Sequence, residues 1–166
     1  MTPLYQKIVM AYIDTGPGDA VLCRGAELAR LCRAELHLVG IVATEGGMPL
    51  DPASASHELL ETERTHLQEA LTESVGHLDS WGVAALTCIR DGDPAREITA
   101  FVREIGADLV VVGHSDRRFL AHWGENSEGT GLLEQLPCSL LVAMDRFNSK
   151  QTPGDEACLG DVWLNR

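Results

Sequence analysis

Two carboxylates stand near the ends of apolar runs: Asp14 follows residues 8–13, and Asp91 follows residues 83–89. Acid groups at strand ends suit phosphoryl-receiving or metal chemistry, but a receiver of that kind needs clustered acids after its first strand and a lysine after its last. Here Thr15 and Gly16 follow Asp14, and Met144, Asp145 and Arg146 supply no lysine. His114, His122 and Cys138 offer metal-ligand atoms, yet their spacing fits no standard zinc pattern, and loop histidines on the surface are the expected reading. Trp123 lies in the same polar stretch, either covering a pocket or packing under the loop. Hydrolytic signatures are absent: there is no G-x-S-x-G elbow, no H-E-x-x-H and no S-G-G-x-D-S loop. No catalytic or metal-binding residue is assigned.

The five cysteines, Cys23, Cys32, Cys88, Cys138 and Cys158, include no C-x-x-C pair. The first four fall in segments that read as core helix or strand, where a free cysteine behaves as a small hydrophobe. Cys158 stands apart in a polar stretch.

These groups need a frame. A chain of 166 residues with 45% apolar composition suits one buried core. Its 25 acidic against 13 basic residues leave a formal charge of -12, which argues against a nucleic-acid or anionic-membrane surface. Residues 1–7 carry neither the basic nor the apolar region of a secretory signal, and no apolar run reaches membrane-spanning length. The expected location is the cytoplasm.

Residues 8–13 form a continuous apolar run closed by Asp14, Thr15, Gly16, Pro17 and Gly18, as expected of a strand buried on both faces. A helix starting near Pro17 places Leu22, Gly25, Ala26, Ala29 and Cys32 on one face, with Arg24, Glu27 and Arg30 pointing away. Its small residues would let it lie close to a sheet. Residues 36–42 read as a second strand and 43–56 as a long loop. A long helix follows, with Leu60, Leu67, Leu71, Val75 and Leu78 in helical period, ended by Gly82. Residues 83–89 read as a third strand. The turn Asp91-Gly92-Asp93-Pro94 leads into a helix with Asp93 as N-cap, Pro94 in its first turn, and Ile98, Val102 and Ile105 buried. Residues 108–113 are a fourth strand, 114–126 an irregular stretch before a short helix ending near Leu136, and 137–144 a fifth strand. The domain is expected over 1–147, with a polar tail over 148–166.

Five strands alternating with four helices predict an α/β fold: a doubly wound, five-stranded parallel sheet with helices on both faces. In such sheets ligands sit beyond the carboxyl ends of the strands, where strand order reverses. Asp14, Val42, Asp91 and Gly113 with its following loop are therefore the positions to inspect.

In order along the chain, these residues resemble the universal stress protein family. Ile13-Asp14 matches its first strand end, and Gly92-Asp93-Pro94-Ala95 its turn before the third helix. Ala107 to Gly113 reads A-D-L-V-V-V-G, and Pro137-Cys138-Ser139-Leu140-Leu141-Val142 matches its closing strand. The resemblance spans residues 7–144 and implies that Asp14 accepts a hydrogen bond from adenosine and that Val42 offers backbone groups to adenine. The alternatives are a carboxylate capping the turn and a plain strand-end valine.

Nucleotide-binding members carry G-x-x-G, nine residues, then G-S or G-T, where glycines let backbone N–H groups converge on phosphate. Registered here, Gly113 keeps the first position, Asp116 and Asn126 replace the next two glycines, and Ser127 supplies the hydroxyl, or else caps the last helix. Asp and Asn tolerate left-handed backbone angles, so the loop can keep its path. A carboxylate at roughly 4 Å from a phosphate costs about 4 kcal/mol at an effective dielectric near 20, before screening; Arg117 and Arg118 would offset part of that.

The expectation is a non-catalytic stress-response module with no tightly bound cofactor, acting by association with itself or a partner protein. The alternative is an ATP- or AMP-binding member with slow hydrolysis or nucleotide-dependent regulation of a partner. A small regulator of a transporter or kinase is a third class. The resemblance also implies a homodimer through the last strand, Cys138 to Met144, whose apolar edge invites pairing.

Overall fold

Side chains of the first strand alternate between two buried faces, which sets the layers. In the computed structural model, which describes residues 4–13, 19–44, 55–113 and 135–143, β1 (Lys7–Ile13) turns Ile8, Met10 and Tyr12 to one face and Val9 and Ala11 to the other. The first face packs on α1 (Asp19–Cys32) through Val21, Leu22, Ala26 and Ala29, and on α2 (Ala55–Ser80) through Leu67, Leu71 and Leu78. The second packs on α3 (Pro94–Ile105) through Ala95, Ile98, Phe101 and Val102. Helices thus cover both faces, which is why the central strands read as unbroken apolar runs rather than as alternating ones.

The remaining strands are β2 (Glu35–Ala43), β3 (Ala85–Gly92), β4 (Leu109–Gly113) and β5 (Ser139–Ala143). All pair in parallel in the order β3-β2-β1-β4-β5. The chain winds outward from β1 to β3, then crosses back to β4 on the opposite side of β1. Strand order therefore reverses between β1 and β4.

Local chemistry sets the boundaries. Asp93 caps α3 in extended conformation, its Oδ1 accepting the Arg96 N–H at 3.0 Å, and Pro94 opens the helix. Gly106 closes it in the left-handed region at φ 66°, a conformation without steric penalty only for glycine. At the amino ends of the strands, the Asp108 carboxylate accepts the backbone N–H groups of Gln6 at 2.8 Å and Lys7 at 3.1 Å. Lys7 Nζ donates to the Ile105 carbonyl at 2.9 Å, so the start of β1 is tied to the turn between α3 and β4.

Two expectations change. The third strand begins at Ala85 rather than Val83 and runs on through Arg90, Asp91 and Gly92, which pair with Ile41, Val42 and Ala43. Polar residues are tolerated there because β3 is an edge strand with one open side. The turn consequently shrinks to Asp93 alone. Of the fourth helix, Gln135 is helical and Leu136 is not, while the part before Gln135 lies outside the described residues, as does the 148–166 tail.

Candidate functional site

The reversal of strand order puts the carboxyl ends of β1, β2 and β4 side by side. Val42 is the penultimate residue of β2, 2% exposed, and belongs to the apolar cluster on the α1/α2 face. Its β3 partner in register is Asp91, and Thr44 N–H donates to the Gly92 carbonyl at 3.3 Å, carrying the β2–β3 pairing just past the strand ends. Gly113 is the last residue of β4, paired with Ala143 of β5. Val42 and Gly113 thus stand at the carboxyl edge on opposite sides of β1, as expected for a crevice at a switch point. Asp14, Asp116, Asn126 and Ser127 lie outside the described residues, as do His114, His122 and Trp123.

Two features at this edge were not singled out from the sequence. Arg64, on α2, forms an ion pair with Asp91, tying that helix to the end of β3. Both side chains are about half exposed, so the pair contributes little to stability. The second feature is Tyr12, next to last in β1 and 4% exposed, whose enclosed hydroxyl has no hydrogen-bond partner among the described residues. Desolvation holds this phenol well above its ordinary pKa, so it remains protonated across the neutral range. The only sequence signal was a polar-tipped residue inside an otherwise apolar strand.

Other polar clusters lie elsewhere. His37, buried near the amino end of β2, meets Glu35 Oε1 through Nε2 at 2.5 Å and stands edge-on to Phe101 at 6.0 Å between centroids. Arg90 lies over the Phe101 ring, 5.1 Å from its centroid, and pairs with Glu97 and Glu104 of α3. These join β2 and β3 to α3 rather than forming a crevice. Among the described residues no cluster of three or more His, Cys, Asp or Glu side chains could hold a metal ion.

The cysteines differ from the expectation of buried free thiols. Cys32, Cys88 and Cys138 are free but only partly buried. Burial raises the Cys138 thiol pKa, helped by the negative charge of Asp108 and opposed by a hydrogen bond from the Val110 backbone. A raised pKa makes for a poor nucleophile. No helix among the described residues is long and apolar enough to cross a membrane.

Comparison with known proteins agrees with this architecture. The model of the universal stress protein family matches residues 4–143. A universal stress protein of Methanocaldococcus jannaschii is 29% identical over 140 residues, covering 84% of this chain and 82% of that one. Among solved structures, UspA from Lactobacillus plantarum superposes with a TM-score of 0.65 at 20% identity, covering 84% of this chain and 97% of that one. The Archaeoglobus fulgidus universal stress protein in complex with dAMP gives 0.55 at 18% identity, over 84% and 98% of the two chains. With the sheet order, the capped third helix and the family match all in register, this chain belongs to the universal stress protein family.

Proposed function

We propose that this protein is a cytoplasmic, non-catalytic stress-response module that acts by dimerising or by binding a partner protein, and that it binds ATP weakly or not at all. The observation that carries this reading is the loop sequence after Gly113, where Asp116 and Asn126 stand in two positions that nucleotide-binding relatives fill with glycine. The carboxyl edge keeps the elements that would receive a nucleoside: the buried Val42 at the end of β2 and Gly113 at the end of β4. A carboxylate at position 116 works against the phosphates while leaving the nucleoside side intact. The test is calorimetric titration of the purified protein with ATP and with adenosine, with and without magnesium. Expected is an ATP affinity no better than high micromolar. A sub-micromolar dissociation constant, or ATP retained through purification, would overturn the proposal.

A second reading, an ATP- or AMP-binding member with slow hydrolysis or nucleotide-dependent regulation, draws support from the dAMP complex of the Archaeoglobus fulgidus neighbour. The same titration separates the two, because this reading requires tight, magnesium-dependent binding of the phosphorylated ligand.

A further inference from the structure

We propose that Cys23 and Cys158 form a reversible disulfide that fastens the C-terminal tail to α1; the inference does not depend on whether the crevice binds a nucleotide. Of the five cysteines, Cys32, Cys88 and Cys138 are free thiols. Cys158 is the one cysteine beyond β5, 15 residues past Ala143, so its reach is set by where β5 ends. Ala143 is 7% exposed and belongs to the same buried cluster as Val21 and Leu22, the two residues before Cys23. The helix and the strand are also direct neighbours. Because α1 must return the chain from the carboxyl end of β1 to the amino end of its parallel partner β2, it starts at the carboxyl edge, where β5 ends. The end of β5 and the opening turns of α1 therefore share one face and one edge of the sheet.

The other thiols are less well placed for Cys158. Cys32 ends α1, about 14 Å further toward the amino edge at 1.5 Å per residue. Cys138 precedes β5 at its amino end, about 16 Å from Ala143 at 3.3 Å per residue, and packs against the cluster on the α3 face. Cys88 packs against that same face from β3, at the opposite edge, so the sheet separates both thiols from the α1 side. A flexible segment of 15 residues has an r.m.s. span of about 21 Å, enough to bring Cys158 back to the start of α1. Cys23 is only partly buried, as a thiol open to exchange must be. The oxidant is a small-molecule disulfide. The Cys158 thiolate attacks one of its sulfurs, forming a mixed disulfide and expelling a first thiolate. The Cys23 thiolate then attacks the Cys158 sulfur, closing the bridge and expelling a second. Two protein thiols are oxidised, one small disulfide is reduced to two thiols, and the two protein protons end on the expelled thiolates. Excess thiol reverses both steps, which suits the cytoplasmic location proposed above, where protein disulfides are transient.

The experiment incubates full-length protein with glutathione disulfide or with dithiothreitol, then alkylates it and digests it without reduction. Expected after oxidation is a peptide pair joining Cys23 to Cys158, from protein that migrates as a single chain, and its loss after dithiothreitol. The bridge restricts the unfolded chain, so oxidised protein should unfold at a higher urea concentration than reduced protein. That difference should vanish in Cys23→Ser and in Cys158→Ser and persist in Cys32→Ser. Cys158 joined to Cys32, to Cys88, to Cys138 or to a second chain would overturn the inference. So would a Cys158 that alkylates as fully in oxidised protein as in reduced protein, or a urea midpoint that oxidation leaves unmoved. The peptide map is made on wild type, so it decides the matter even where a variant fails to fold.

Discussion

Gly25 of α1 lies so close to Met10 of β1 that a Cβ on the glycine would overlap the methionine Sδ and meet its Cγ at 3.0 Å. Met10 is fully buried, so its side chain has little space into which to retreat. The small face of α1 is what brings this helix down onto the sheet. Gly25→Ala should therefore destabilise by up to about 2 kcal/mol: overpacking of about 1–3 kcal/mol is offset by a helix-propensity gain of about 1 kcal/mol. In urea unfolding, combining it with Met10→Ala should lose less than the sum of the two single changes. Additivity within about 0.5 kcal/mol would show that this contact does not set the spacing.

The cap of α3 is a separate test. Asp93→Ala removes the acceptor for the Arg96 N–H and should lower stability by about 1 kcal/mol, whereas Asp93→Ser should recover most of it. Equal unfolding midpoints for wild type and Asp93→Ala would contradict the assigned role.

For the loop, Asp116→Gly combined with Asn126→Gly should raise affinity for ATP while leaving adenosine unchanged, because it removes a carboxylate and reopens the backbone path. The readout is the ratio of the two affinities by calorimetry. A folded double variant with an unaltered ratio would show that the loop register, or its assumed role, is wrong.

β5 forms one edge of the sheet and leaves Ser139 and Leu141 exposed. An open edge with apolar residues favours pairing with a second copy. Light scattering should show a dimer both at full length and after removal of residues beyond Phe147. A full-length monomer defeats this expectation. A dimer appearing only after truncation would make the tail, with Trp163 as anchor, the cover of that edge.

Alkaline pH provides a probe of Tyr12 that needs no ligand. Burial raises its folded pKa above the unfolded value near 10. Above that value the unfolded chain loses the phenolic proton while the native state keeps it, so the native state binds more protons. Stability from this group is therefore fully present below about pH 10 and falls as pH rises, by about 1.4 kcal/mol per pH unit. Tyr12→Phe should remove this component, flattening the decline of urea midpoints relative to wild type. Parallel declines would mean that the phenol is solvated in the native state.

Much of the fold was legible from the chain alone, because strands buried on both faces admit few polar residues. Residues 8–13 and 109–113 show this as continuous apolar runs, and Asp93-Pro94 marks a helix start by chemistry that acts within four residues. The small face of α1 was legible for the same reason: Gly25, Ala26 and Ala29 recur at helical spacing. Tertiary structure decided what depends on neighbours distant in sequence. Arg90 and Asp91 are strand residues because β2 supplies backbone partners and the open edge accepts polar side chains, which no local pattern encodes. The position of β1 at the reversal of strand order follows from how four strands pair around it. The missing partner of the Tyr12 hydroxyl is likewise a property of every surface packed against it, so it could emerge only once the chain was folded. For the site, sequence named Val42 and Gly113 from their places at strand ends, and the fold set them on either side of β1 because parallel pairing aligns strand ends that lie 71 residues apart.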